Sequence, residues 1–192
     1  NGIDSGNAYI FDVTTGNQLH KLTASDAAAS DKFGDNVAIS GNYAIVSAAE
    51  NDDNGSNIGS AYIFNVQTGT QLHKLTASDA AIDDYFGVSV AISSNYAIVG
   101  TNYNDDNGSN SGSAYIFNVQ TGTQLYKLSA SDGAADDAFG RSVAISGNYA
   151  IVGVSHDDDN GNNSGCAYIF GPNEPSVPML SITNNENMVV NG

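Results

Sequence analysis

The sequence predicts an all-β protein built from repeated four-stranded antiparallel blades, and three observations support this prediction. The chain matches itself when it is shifted by 53 residues, so that Phe33-Gly34 aligns with Phe86-Gly87 and Phe139-Gly140. Each repeat holds four short runs rich in Val, Ile, Tyr and Phe, the residues that favour strands. Gly and Asn separate several of these runs and tolerate the positive φ of tight turns. Fixed self-similarity is typical of units that bury their apolar faces only against neighbouring copies.

The middle repeat shows the four predicted strands most clearly, at residues 88–93, 96–100, 114–119 and 124–128. A short turn joins the first two runs, and a turn with Gly122 joins the last two. The second and third runs are separated by a long, acidic, glycine-rich loop. No run reaches the length of a globular helix. Four strands in about 50 residues, repeated, are typical of a propeller blade.

The repeats divide the chain into an array and a tail. The array covers residues 1–171, as a partial repeat at 1–32, full repeats at 33–85 and 86–138, and a partial repeat at 139–171. This number of repeats does not close a ring of the roughly four to eight blades usual in propellers. Three arrangements stay open: part of a larger propeller, a propeller completed by several chains, or an open stacked array. Because the chain begins in mid-repeat, we expect it to be a mature or excised piece of something longer.

Residues 172–192 form the tail, which contains all three prolines and reads as an extended linker followed by strand-like residues. The strand-like stretches are 179–183 and 188–190. They have three open roles: the missing fourth strand of the last blade, the start of another module, or pairing with the edge of a neighbouring chain.

Composition excludes several classes of function. The chain has 21 acidic and 5 basic residues, for a formal net charge of −16. Nucleic acids and anionic membranes require a basic surface, so neither is an expected partner. The charge favours bound cations, high solubility or a salty setting. Cys166 is the single cysteine, so no disulfide forms within the chain, and it aligns with Ser60 and Ser113 as a small residue at the start of a strand.

The repeat resembles the FG-GAP repeat, the blade unit of integrin α-subunit propellers and of many secreted bacterial and algal proteins. The resemblance rests on Phe-Gly, a Tyr-Ala-Ile-Val strand and an Ala-Tyr-Ile-Phe strand in that order, and it covers residues 1–171. It implies a β-propeller with four-stranded blades, an extracellular or cell-surface location, adhesion or ligand binding, and often calcium. Integrin blades carry their calcium loop between the first two strands. That hairpin here is a short turn without a carboxylate, so the integrin site does not carry over.

Acidic residues instead recur in the loop between the second and third strands, which makes this loop the candidate Ca²⁺ site. Carboxylates and amides ahead of a glycine bend are the oxygen ligands that calcium uses. Glu50 aligns with Tyr103 and His156, so the full ligand set does not repeat. The alternative is a solvated polar loop with Asx turns. The candidate metal ligands are Glu50, Asp52, Asp53, Asn54, Asp105, Asp106, Asn107, Asp158, Asp159 and Asn160.

A second set of acidic residues links consecutive repeats, and we expect it to shape the turn that inserts each phenylalanine between blades. Cation binding is the alternative role for these carboxylates. The recurring lysines, among them Lys74 and Lys127, read as solvated strand-face or edge residues. The predicted structural-turn residues are Asp26, Asp31, Asp79, Asp84, Asp132, Asp137, Phe33, Phe86 and Phe139.

Three Asn-x-Ser sequons, at Asn54, Asn107 and Asn162, are possible N-glycosylation sites in a eukaryotic source, although such triplets also arise by chance in an asparagine-rich chain.

Two functions fit these patterns, and a third lacks a residue set to support it. Near-identical repeats favour a structural or adhesive extracellular module that associates with itself or with further repeats of a longer chain, up to a fibre. The second hypothesis is a calcium-dependent propeller that binds a glycan or a protein. An enzyme is not expected, because no nucleophile elbow, phosphate loop or His-rich metal signature is present.

Overall fold

Strands are the only regular elements in the part of the chain that the computed structural model describes, residues 2–172 and the backbone of Leu180–Ser181. This confirms the all-β prediction. The strands are β1 Ala8–Phe11, β2 Gln18–Leu22, β3 Val37–Ser40, β4 Tyr43–Ala48, β5 Ser60–Asn65, β6 Gln71–Leu75, β7 Ser89–Ile92, β8 Tyr96–Thr101, β9 Ser113–Asn118, β10 Gln124–Leu128, β11 Phe139–Ser146, β12 Tyr149–Val154, β13 Cys166–Phe170 and β14 Leu180–Ser181.

Each sheet is an antiparallel meander in chain order, as predicted for a blade. The four-stranded sheets are β3 to β6, β7 to β10 and β11 to β14, and β1 pairs with β2 alone. In the middle repeat every observed strand begins or ends within a residue or two of its predicted run. The sheets are open, and each corresponds to one propeller-like blade.

The tail contributes β14, which pairs with β13 so that Ser181 faces Tyr168 and Leu180 faces Ile169. This is the fourth-strand position of the last blade, one of the three roles left open for residues 179–183. The strand-like stretch at 188–190 lies outside the described residues.

The hydrophobic core lies between blades, because alternate residues of a strand point to opposite faces. We call the face of a blade that packs against the following blade its front face and the opposite face its back face. Ile63 and Leu75 lie on the front face of the second blade and pack against Tyr115 and Phe117 on the back face of the third. The same contact joins the first blade to the second and the third to the last. Each of the first three blades therefore buries a front face of Ala, Ile and Leu under the aromatic back face of its successor.

Candidate functional site at the junctions between blades

The phenylalanine of each Phe-Gly pair lies in one of the three inter-blade clusters. Phe33, Phe86 and Phe139 are at most 2% exposed. Phe86 packs with its ring centroid 5.7 Å from Tyr115 and 5.9 Å from Phe117. The other two phenylalanines pack in the same way against the equivalent Tyr and Phe of their own blades. Such aromatic pairs add to the stabilisation from burial alone.

The residues around each Phe-Gly pair form a backbone ladder with the preceding blade. We name 30–34, 83–87 and 136–140 the docking segments. We name residues 3–5, 56–58 and 109–111 the docking loops. They lie in the preceding blade, between its second and third strand positions. At the middle junction the amides of Asp83, Tyr85 and Phe86 donate to the carbonyls of residues 56, 57 and 58 at 3.0, 2.9 and 2.9 Å. Equivalent triplets join the other two docking segments to their loops.

The docking segments adopt an unusual backbone. Asp83 and Tyr85 have positive φ of 65° and 54°, and the equivalent residues of the other segments match them. The left-handed region is costly for residues other than glycine, so the ladder must stabilise it. Turn composition did not reveal this conformation, because none of the strained residues is Gly.

Three of the predicted turn aspartates bond to a backbone amide just before the docking segment. Asp31, Asp84 and Asp137 accept hydrogen bonds from the amides of the alanines three residues earlier, at 2.7, 3.0 and 2.7 Å. Burial raises the pKa of Asp84, and the same cause, with repulsion from Asp157 to Asp159, raises the pKa of Asp137. These carboxyls lie in the turn that leads into each Phe-Gly pair.

The other three aspartates of this set reach the following blade instead. Asp26 Oδ2 accepts a hydrogen bond from Lys74 Nζ at 2.7 Å, and Asp79 Oδ2 accepts one from Lys127 Nζ at 2.6 Å. Asp79 Oδ1 also accepts from the Tyr115 hydroxyl at 2.8 Å. These carboxylates therefore join neighbouring blades by their side chains.

Each of these two lysines also pairs with a second carboxylate. The prediction that they are solvated strand residues is therefore wrong. Lys74 Nζ lies 2.6 Å from Asp53 Oδ2, and Lys127 Nζ contacts Asp106 Oδ2. Only 25% of each lysine side chain is exposed. We name the groups Asp26–Lys74–Asp53 and Asp79–Lys127–Asp106 the lysine clamps.

The clamps raise the pKa of both lysines and lower the pKa of Asp53. Burial alone would lower the pKa of Lys74, but its hydrogen bonds to Asp26 and Asp53 outweigh burial and raise it. Lys127 behaves in the same way. The hydrogen bond from Lys74 lowers the pKa of Asp53. The ammonium group thus supplies the positive charge between two acidic loops.

The last junction has the carboxylates but no lysine among the described residues. Ser181 faces Tyr168 where Lys127 faces Tyr115 in the preceding blade. Asp132 accepts a hydrogen bond from the Tyr168 hydroxyl. Repulsion from Asp157 and Asp132 raises the pKa of Asp159. Burial and Asp157 raise the pKa of Cys166, the first residue of β13, to about 12.

The remaining candidate metal ligands also have protein partners or face solvent. The carboxylates of Asp52, Asp105 and Asp158 accept hydrogen bonds from backbone amides five residues later, at 2.7, 2.7 and 2.6 Å. Glu50 pairs with Lys32 at 2.6 Å. Within the described residues no group of three or more His, Cys, Asp or Glu side chains is arranged to hold a metal ion. Calcium stays a prediction of the sequence. Asn54, Asn107, Asn160 and Asn162 are exposed.

Sequence reasoning missed the asparagines of the docking loops. Asn57 and Asn110 have positive φ, and their side chains donate to Asp83 and Asp136 of the following docking segment at 2.8 and 3.0 Å. Their recurrence at the 53-residue period was the available signal, but an asparagine in an acidic loop reads as turn chemistry.

Comparison with known proteins settles the family. A family model described as the FG-GAP repeat matches residues 17–64, 70–117 and 123–170, three quarters of the chain. The chain belongs to the FG-GAP repeat family. Each matched stretch begins at the fourth strand of one blade and ends at the third strand of the next, so this FG-GAP unit spans a junction. FG-GAP repeats are non-catalytic structural repeats, typical of extracellular or surface proteins.

Solved structures show the fold alone. A crystal structure of the computationally designed Ika8 protein matches this FG-GAP chain with a TM-score of 0.58 and 16% sequence identity. The match covers 98% of this chain and 47% of the designed one, so the chain spans about half the length of that protein. No curated protein sequence matches. The described residues include no helix long and apolar enough to cross a membrane.

Proposed function

We propose that this chain is a non-enzymatic, extracellular structural or adhesive module that assembles with further FG-GAP copies into a larger propeller or a fibre. The main support is that the two outermost blade faces carry the two surfaces that pack together at each internal junction. The first blade exposes an aromatic back face, and the last blade exposes an aliphatic front face.

The back face of the first blade is aromatic and exposed. Tyr9 and Phe11 are 48% and 54% exposed, whereas their equivalents Tyr62 and Phe64 are 0% and 1% exposed beneath the preceding blade. Exposed aromatic pairs of this kind mark interaction surfaces. This face therefore matches the surface that receives a front face elsewhere in the chain.

The front face of the last blade is its complement. Ile151 is 40% exposed, whereas its equivalents Ile45 and Ile98 are fully buried under the next blade. A contact between two different faces of one molecule is heterologous and propagates into a ring or an open filament. Both outcomes fit the proposed assembly.

The charge of the chain sets the conditions under which copies associate. A net charge of −16 makes copies repel one another at low ionic strength. Salt screens this repulsion, with a Debye length of about 10 Å at 0.1 M. Assembly through apolar faces should therefore strengthen as sodium chloride is added.

The test is light scattering after size exclusion, with negative-stain microscopy, over a series of protein and salt concentrations. We expect oligomers or filaments that are lost with Phe11→Lys or Ile151→Lys. Leu72→Lys is the matched control, because Leu72 is 41% exposed on an internal blade. A chain that stays monomeric at high protein and salt concentration would overturn the proposal.

A further inference from the structure

The last blade repeats the surface that receives a docking segment. Its docking loop is 162–164, and β12 and β13 carry Gly153 and Cys166 at the positions of Gly100 and Ser113. The three docking segments of this chain are all bound at internal junctions. Residues 172–192 contain no phenylalanine, so they supply no fourth Phe-Gly pair.

The filled junction shows which atoms this surface presents. Ser89 Oγ donates a hydrogen bond to the Gly140 carbonyl at 2.7 Å, and Phe139 lies beside Gly112 in a parallel bridge. At the preceding junction Asn36, which is equivalent to Ser89, donates to the Val88 carbonyl at 3.0 Å. The side chain at this position therefore bonds to the backbone around the following Phe-Gly pair.

The same position in the last blade is Ser142, which is exposed and lines an open depression of about 670 Å³ together with Gly153 and Gly165. Among the described residues no docking segment lies over it. Asn163, equivalent to the asparagines that reach the next docking segment, donates to its neighbour Asn162 at 2.6 Å.

The glycine at position 153 fits an occupied junction, where the equivalent residues are small. A Cβ at Gly100 would lie 2.0 Å from the Gly140 carbonyl oxygen, and the equivalent residue of the second blade is Ser47, which is fully buried beside its docking segment, so the filled junctions have no room for a large side chain there. A Cβ at Gly153 would meet nothing closer than Ser142 Cβ at 3.5 Å, an ordinary contact. Glycine weakens a strand, and the last blade by itself has no steric need for it.

We propose that this depression, the Phe-Gly acceptor, binds the docking segment of a further FG-GAP repeat. Phe-Gly would enter beside Gly165 and Gly153, with its backbone accepting a hydrogen bond from Ser142. The inference rests on the proposed assembly and names the group that the partner must supply.

The experiment appends a copy of residues 79–138 after Gly192 of the whole chain, which supplies one more docking segment in cis. A Ser155→Cys thiol in a Cys166→Ser background reports occupancy by its rate of reaction with an uncharged maleimide at micromolar protein. Ser155 lines the same depression and is exposed, whereas its equivalents Ala49 and Asn102 are 5% exposed at the filled junctions. Tethering gives a millimolar effective concentration, so we expect labelling at least about tenfold slower than in the chain without the added repeat.

Two variants test the specificity of that protection. Phe86→Ala in the appended copy, or Gly153→Val in the acceptor, should return labelling to within about twofold of the unextended chain. Circular dichroism of unextended Gly153→Val checks that the last blade still folds, and Gly100→Val should destabilise the chain as its matched counterpart.

Unslowed labelling in the extended chain would overturn the inference, and so would protection that survives both variants. Neither result bears on self-association of the unextended chain, which light scattering measures separately. A failure of the acceptor and a failure of the proposed assembly are therefore distinguishable.

Discussion

Replacing Lys127 with Met should lower the free energy of unfolding by about 2 kcal/mol, because it opens a lysine clamp. The ammonium lies 2.6 Å from Asp79 and also contacts Asp106, with 25% of the lysine side chain exposed. Met keeps the apolar stem of the side chain, so the change tests the charge rather than packing.

The magnitude lies between two limits. Exposed ion pairs contribute about 0–1 kcal/mol, whereas removing one partner of a buried pair costs about 3–5 kcal/mol. This clamp is half-buried, and its loss would leave the carboxylates of Asp79 and Asp106 without a positive partner across the junction. The expected cost corresponds to a fall in Tm of about 4–8 °C for a chain of this size.

The position offers a matched control in the first blade. Lys21 is the equivalent residue, but it is exposed and makes no ion pair with the described residues. Lys21→Met should therefore change the free energy of unfolding by less than about 0.5 kcal/mol. Lys74→Met, in the other clamp, should cost about as much as Lys127→Met.

Urea unfolding followed by far-UV circular dichroism and tyrosine fluorescence measures these differences, since the chain has 10 tyrosines and no tryptophan. Both probes are needed because stacked repeats can unfold in steps. If Lys127→Met and Lys21→Met differ by less than about 0.5 kcal/mol, the clamps do not hold the blades together.

Three further outcomes are expected. The raised lysine pKa values at positions 74 and 127 imply stability that is fully present below pH 10.5 and lost as the pH rises through the higher folded values. Above pH 10.5 the free energy of unfolding should therefore fall more steeply with pH in the native chain than in the Lys74→Met, Lys127→Met double variant. Equal slopes in the two proteins would contradict this prediction. Phe86→Ala should cost about 3–5 kcal/mol in urea unfolding, and a loss below about 1.5 kcal/mol would show that the aromatic cluster does not stabilise the junction. Calcium or a chelator should move Tm by less than about 2 °C, since lysines already pair with Asp53 and Asp106 of the first two acidic loops, and a larger stabilisation by calcium would support the calcium prediction instead.

The strand positions were predictable because they depend on local chemistry. The runs at 96–100 and 124–128 carry β-branched and aromatic residues between turn formers, and they fold as β8 and β10. The burial of Phe86 between blades also followed from its regular recurrence. In repeats of this kind, each local preference agrees with the contacts between neighbouring units.

The lysine clamps were not predictable in the same way. Lys74 and Asp26 are 48 residues apart, and only the stacking of two blades brings them within 2.7 Å. Before that geometry is known, a lysine on an outer strand is read as solvated and an aspartate in a loop as a turn former or metal ligand.

The amino-acid sequence by itself determined the 53-residue period and the strands, because strand preference and turn chemistry act over a few residues. Tertiary structure alone decided how consecutive blades are joined. The left-handed backbone at Asp83 and Tyr85 is unfavourable in isolation and forms because the preceding blade supplies three acceptors for the segment. Contacts between blades, rather than local preference, therefore fix the backbone of each docking segment.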